Sequence, residues 1–132
     1  MNVFDTSPAD WGLLIARVCI ATPFLVSGVH KAVWYRKAAA EFRDAAVPLI
    51  AVTLPATILL HILGSLCLIA DVYTAQVAVA LIVFTLLATV KVHGFWHFEG
   101  EQRLMQSRIA LGNVALIGGL LALSVAQPGG LP

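Results

Sequence analysis

Charge is what this sequence has least of. Lys, Arg, Asp and Glu make up 11% of 132 residues, against about 25% in an ordinary soluble chain. A soluble fold of this size cannot hide a 60% hydrophobic composition, which leaves membrane insertion. There is no basic surplus either: a formal charge of +1 excludes the basic face that nucleic acid requires. Cysteine is scarce. Cys19 and Cys67 stand singly in apolar runs, with no CxxC and no metal-ligand spacing, so both read as small core residues, a redox pair being the alternative. No ligand set for haem or an iron–sulfur cluster is present. The N-terminus lacks the Lys/Arg cluster of a cleaved signal, so the first span is expected to stay in the mature protein. The length predicts a single domain, 1–132.

What the sequence does have is long apolar runs. Ser7-Pro8-Ala9-Asp10 reads as a helix start, with Ser7 as cap, Pro8 at the first position and Asp10 completing a capping box. Spans are expected at about 11–30, 49–70, 75–91 and 109–126, each long enough at about 1.5 Å per residue to cross a bilayer. Pro23 is expected to kink the first. After it, Trp34, Tyr35, Arg36 and Lys37 resemble an interfacial belt. The residues Ala38, Glu41, Phe42 and Ala45 then fall at helical spacing, which predicts a short amphipathic helix on the membrane surface; a solvated connection is the alternative. Asp71 to Thr74 leaves room only for a tight turn, Glu99 to Arg103 reads as polar loop, and Gln127-Pro128-Gly129-Gly130 stops the fourth span. The expected fold is an all-α, antiparallel four-transmembrane-helix bundle. Its fourth helix is expected to pack along the small residues Gly118, Ala122 and Ala126, with Ala115 and Gly119 beside them.

Seven basic residues (Lys31, Arg36, Lys37, Arg43, Lys91, Arg103, Arg108) lie in the connections after the first and third spans, and none in the other flanks. That asymmetry puts both long connections in the cytoplasm and both termini outside. Arg17, inside the first span, needs a counter-charge. Asp71, at the outer end of the second span, is the only acid within reach apart from Asp10, so a structural Arg17–Asp71 pair is expected near the outer face.

The polar residues that remain gather toward the inner boundary. The stretch 87–123 holds two of the four histidines, His93 and His97, one of the three tryptophans, Trp96, and the amide Asn113. With His30 and Lys31 they could form one pocket, where an imidazole and an amide bond two carbonyls of a quinone head and Trp96 stacks on its ring. Intramembrane polar groups invite that reading because their burial is unfavourable unless they are paired. The plain structural alternative has Lys91 snorkelling, Trp96 belting the interface and Asn113 bonding a neighbouring helix. His93 and His97, four apart, would share one helix face and suit a metal, but Gly94 between them argues against a helix and no metal site is assigned. His61, the deepest histidine, reads either as a satisfied core residue or as a proton relay or ligand contact.

Several motifs together resemble the DoxX family of small four-helix bacterial membrane proteins. These are Leu14-Ile15-Ala16-Arg17 followed by Phe24-Leu25-Val26-Ser27-Gly28-Val29-His30-Lys31, then Val47-Pro48, Leu63-Gly64, His93-Gly94-Phe95-Trp96, and Asn113-Val114-Ala115-Leu116-Ile117-Gly118-Gly119. One departure is that His61 stands near where relatives often carry a glutamate in the second span. The resemblance implies a location in the bacterial cytoplasmic (inner) membrane. It also implies a quinone-interacting, redox-associated subunit working with a partner oxidoreductase or as a homo-oligomer, with no intrinsic cofactor. On that reading Arg17, Lys31, His93, Trp96 and Asn113 match family motifs, whereas His30, His61 and His97 come from the residues alone. A non-enzymatic accessory that binds a lipid-like ligand or a partner protein is the alternative.

Overall fold

The computed structural model describes residues 7–126, which are helical with no strand among them. The elements are α1 (Pro8–Val33), α2 (Tyr35–Asp44), α3 (Ile50–Ala70), α4 (Thr74–Lys91), a 3-10 turn (Phe95–His97) and α5 (Gly100–Val125). Helices α1, α3, α4 and α5 are long and apolar enough to cross a membrane. The expected stop at 127–130 lies outside the described residues.

Each boundary has a local cause. Ser7 Oγ accepts from the Asp10 amide while the Asp10 carboxylate accepts from the Ser7 amide, so α1 starts on a capping box that satisfies two orphan donors. At the α3–α4 turn, Asp71 and Tyr73 adopt left-handed backbone, and Thr74 Oγ1 donates to Asp71 Oδ1 at 2.7 Å. The link from α2 to α3 carries two more left-handed residues, Ala46 (φ 53°) and Leu49 (φ 50°), a conformation that disfavours a Cβ by about 1–2 kcal/mol. Ala46 is exposed, so Ala46→Gly removes that strain without emptying a packed site. It is expected to raise stability by about 1 kcal/mol; thermal unfolding in detergent below the parent would show that the turn is not strained.

α5 starts nine residues before the apolar stretch read as its span. Only Glu99 of the expected polar loop lies outside the helix; Gly100 turns the chain at φ 57°, and Glu101, Gln102, Arg103, Leu104 and Met105 are strong helix formers that continue it beyond the apolar stretch. A second correction concerns its packing. Gly118, Ala122 and Ala126 are exposed, and a Cβ at Gly118 would meet nothing within 4 Å. The buried face of α5 instead carries Ala110, Leu120, Leu123 and Ser124. Small residues permit close approach but do not compel it, and here only Gly119 is used, against Ile20.

The interior carries polar side chains among its apolar ones. On α3 the buried stripe is Leu54, Thr57, His61, Gly64, Ser65 and Leu68; on α4 it is Thr74, Ala78, Leu81 and Thr85. Ser and Thr hydroxyls there bond back into the helices: Thr57 to the Thr53 carbonyl, Thr85 to that of Leu81, and Ser65 across to the Ala21 carbonyl at 3.1 Å. The outer faces are apolar, with Ile15, Val26, Leu63, Leu87 and Val114 more than half exposed, as suits side chains solvated by lipid. α1 packs most extensively on α3 and α4 on α5; the α3–α4 and α1–α5 contacts are slighter.

Candidate ligand cavity

Between those two helix pairs lies a cavity of about 650 Å³, within the range of small-molecule sites, roughly 300–1,000 Å³. α1 contributes Phe24, Ser27 and Lys31, α3 contributes Thr57 and His61, α4 contributes Phe84 and Lys91, and His93 and Asn113 come from the segment after α4 and from α5. α2 and the Val47-Pro48 link close one side.

His61 is the distinctive group. It is 3% exposed, and neither ring nitrogen has a hydrogen-bond partner among the described residues. Phe84 meets the ring edge-to-face at 4.5 Å between centroids and Phe24 at 5.5 Å. The helix behind it is close: a Cβ on Gly28 would sit 2.8 Å from the His61 Cβ. An imidazole held this tightly with both nitrogens unsatisfied loses about 1–3 kcal/mol, which a ligand offering one acceptor or one donor would restore.

The other polar groups are partly engaged. Lys31 Nζ donates to Ser27 Oγ, leaving two ammonium donors. Asn113 Nδ2 donates to Thr89 Oγ1 at 2.9 Å, and Thr89 in turn donates to the Thr85 carbonyl. His93 Nδ1 lies 2.8 Å from Gln106 Oε1; an amide oxygen only accepts, so Nδ1 is the donor.

Of the residues singled out in the sequence, Lys31, His61, His93 and Asn113 therefore line one cavity. Trp96 and His30 do not. Trp96 is half exposed and its indole donates to His97 Nε2 at 2.7 Å, while His30 stacks on Trp34 at 4.2 Å over a smaller cavity between α1 and α2. α4 ends at Lys91, so His93 and His97 share no helix face; Gly94 breaks the run, and a Cβ there would be 3.0 Å from the Val90 carbonyl oxygen. Among the described residues no cluster of three metal-ligating side chains forms. Arg17 Nη2 lies 2.8 Å from Asp71 Oδ2, beside the far end of α3. The residues missed from sequence are the supports: Phe24, Phe84, Thr89 and Gln106. The four-residue spacing of Thr57, His61 and Ser65, and of Thr85 and Thr89, was the available signal, since it puts polar atoms on one helix face.

The DoxX family model matches residues 12–94. That stretch holds Lys31, His61 and His93 and leaves α5, with Asn113, beyond it. No curated protein and no solved structure matches the chain. With well over half of its 132 residues matched and four helices able to cross a bilayer, this multi-pass membrane protein belongs to the DoxX family.

Proposed function

We propose that the protein is a quinone-interacting subunit of the bacterial inner membrane that works with a partner oxidoreductase. The observation carrying this is the His61 ring, buried between two phenylalanines with both nitrogens free inside a mainly apolar cavity. A quinone head fits those residues: it is a flat apolar ring whose only polar atoms are acceptors. His61 would donate to one carbonyl from its protonated nitrogen, and Lys31 would donate to the other. Phe24 and Phe84 hold the imidazole plane and keep water from it. His93 and Asn113, expected to grip the two carbonyls, already have partners in Gln106 and Thr89 and serve the cavity wall. Bound there, a quinone would take two electrons from the partner and two protons to become a quinol.

The topology that goes with this reading is an antiparallel four-helix bundle with α2 on the membrane surface. Its support is the order of contacts. Arg17, Ala21 and Gly28 of α1 meet Asp71, Ser65 and His61 of α3, and Thr89 and His93 meet Asn113 and Gln106, so each pair is matched in opposite chain directions. The reading has both long connections on the cytoplasmic side and both termini in the periplasm, and its support is the seven basic residues in and beside those connections.

His61→Leu tests the site. Losing one buried hydrogen bond is expected to weaken quinone binding about tenfold, while removing an unsatisfied imidazole raises stability by about 1 kcal/mol. Mass spectrometry of quinone retained by purified protein, beside thermal unfolding, reads both. If the parent protein never retains quinone and turns over with no partner, the redox reading ends. The mainly apolar wall then favours the second reading, a non-enzymatic accessory holding a lipid-like molecule.

A further inference from the structure

A smaller cavity of about 220 Å³ lies at the α1–α2 elbow and shares Lys31 with the proposed quinone site. His30, Lys31, Trp34 and Lys37 line it, with Glu41 on its far wall. Two lysines against one glutamate give this small space a formal charge of +1, His30 not counted. It is too small for a drug-sized ligand but has room for a headgroup. Directly beside it α1 presents an apolar strip: Val26 lines the cavity and is 61% exposed, and Val29 and Val33 are 47% and 65% exposed. Trp34 stands at the rim, half exposed, as an amphipathic ring does at headgroup depth. A single ligand satisfies both halves if it carries an anionic oxygen cluster and acyl chains.

We propose that the α1–α2 elbow is a binding site for an anionic phospholipid, its phosphodiester between Lys31 and Lys37 and its chains along Val26, Val29 and Val33. The charge balance predicts selection of the net-negative headgroup. A zwitterionic headgroup brings an ammonium that only Glu41 would meet, and that leaves the cavity's surplus charge uncancelled. Because Lys31, Ser27 and Pro23 also line the larger cavity, the lipid would sit against the outer side of the same wall. Lys31 is common to both cavities, so Lys37, which borders only the elbow, is the residue that reads the lipid alone.

The test is native mass spectrometry of the full chain extracted from vesicles holding equal amounts of phosphatidylglycerol, phosphatidylethanolamine and phosphatidylcholine. Retained phosphatidylglycerol is expected, reduced about fivefold by Lys37→Gln, the usual effect of one basic residue at an anionic surface, and unchanged by Arg103→Gln on α5. Equal retention of the three lipids, preference for phosphatidylethanolamine, or equal weakening by Arg103→Gln would each overturn the site. Displacement of the lipid by millimolar inorganic phosphate would show a free-anion pocket instead, which also overturns it. Lys37→Gln is an exposed change on α2 and leaves the fold intact.

Discussion

Asp71→Asn is expected to destabilise the protein by about 2 kcal/mol, as much as Arg17→Gln, because each leaves one charge of a partly buried pair alone. Arg17 is 12% exposed and Asp71 34%, so the loss falls between that of a surface pair and that of a fully buried one. Asparagine is a clean probe here. Asp71 has φ 59°, a left-handed conformation that asparagine tolerates well, and the amide oxygen can still accept from Thr74. Only the charge is removed. The stranded guanidinium would then lie inside a membrane span with its Nε already lacking a partner. Combining Asp71→Asn with Arg17→Met should restore stability to within about 1 kcal/mol of the parent, since an apolar side chain of similar length replaces the pair. Denaturation in detergent of the two single variants and the double variant measures this. If only the arginine change matters, the two charges do not act as a pair.

The second large effect is expected at Gly28. A Cβ there would lie 2.8 Å from the His61 Cβ, 2.9 Å from Ile62 Cγ1 and 3.3 Å from the Ile62 backbone nitrogen. Two of those three atoms are fixed to α3 and cannot rotate away, so Gly28→Ala must push α1 and α3 apart. Overpacking of this kind costs about 1–3 kcal/mol, and Gly28→Val should cost more. Gly118→Ala is the contrast: with nothing within 4 Å of its Cβ, it should gain up to about 1 kcal/mol of helix propensity. Gly28→Ala should also lose bound quinone, because His61 moves with α3. Equal melting temperatures for the Gly28 and Gly118 variants would show that the helices do not approach as described.

These two glycines mark what could and could not be read from the chain. The spans were legible because length and hydropathy alone decide whether a helix crosses hydrocarbon. The start of α1 was legible from Ser7 and Asp10, since capping is local. The counter-charge for Arg17 was legible because Asp71 and Asp10 are the only acids within its reach. The rotation of each helix was not legible: in a bilayer the lipid-facing and protein-facing sides are both apolar, so hydropathy leaves the buried face open. That is why the stripe Gly118–Ala122–Ala126, expected to pack inward, lies outward. His61 and the end-of-span residues were read as separate features at different depths, yet Lys31, His61, His93 and Asn113 border one space. α1 and α3 together with α4 and α5 create that space by leaving a gap, and a gap has no sequence signature. Its polar lining was written at four-residue intervals on α3 and α4. Within the motif Phe24–Lys31, Ser27 and Gly28 have visible duties, one bonding Lys31 and the other letting α3 approach.

The unequal packing of the helices has a mechanical consequence. α1 with α3, and α4 with α5, are two tight couples joined by slighter contacts, and the large void sits in the seam. A molecule lodged there touches both couples and becomes mortar between them, lending cohesion that grows with the logarithm of its concentration above its Kd. The same seam is where the two couples hold each other least.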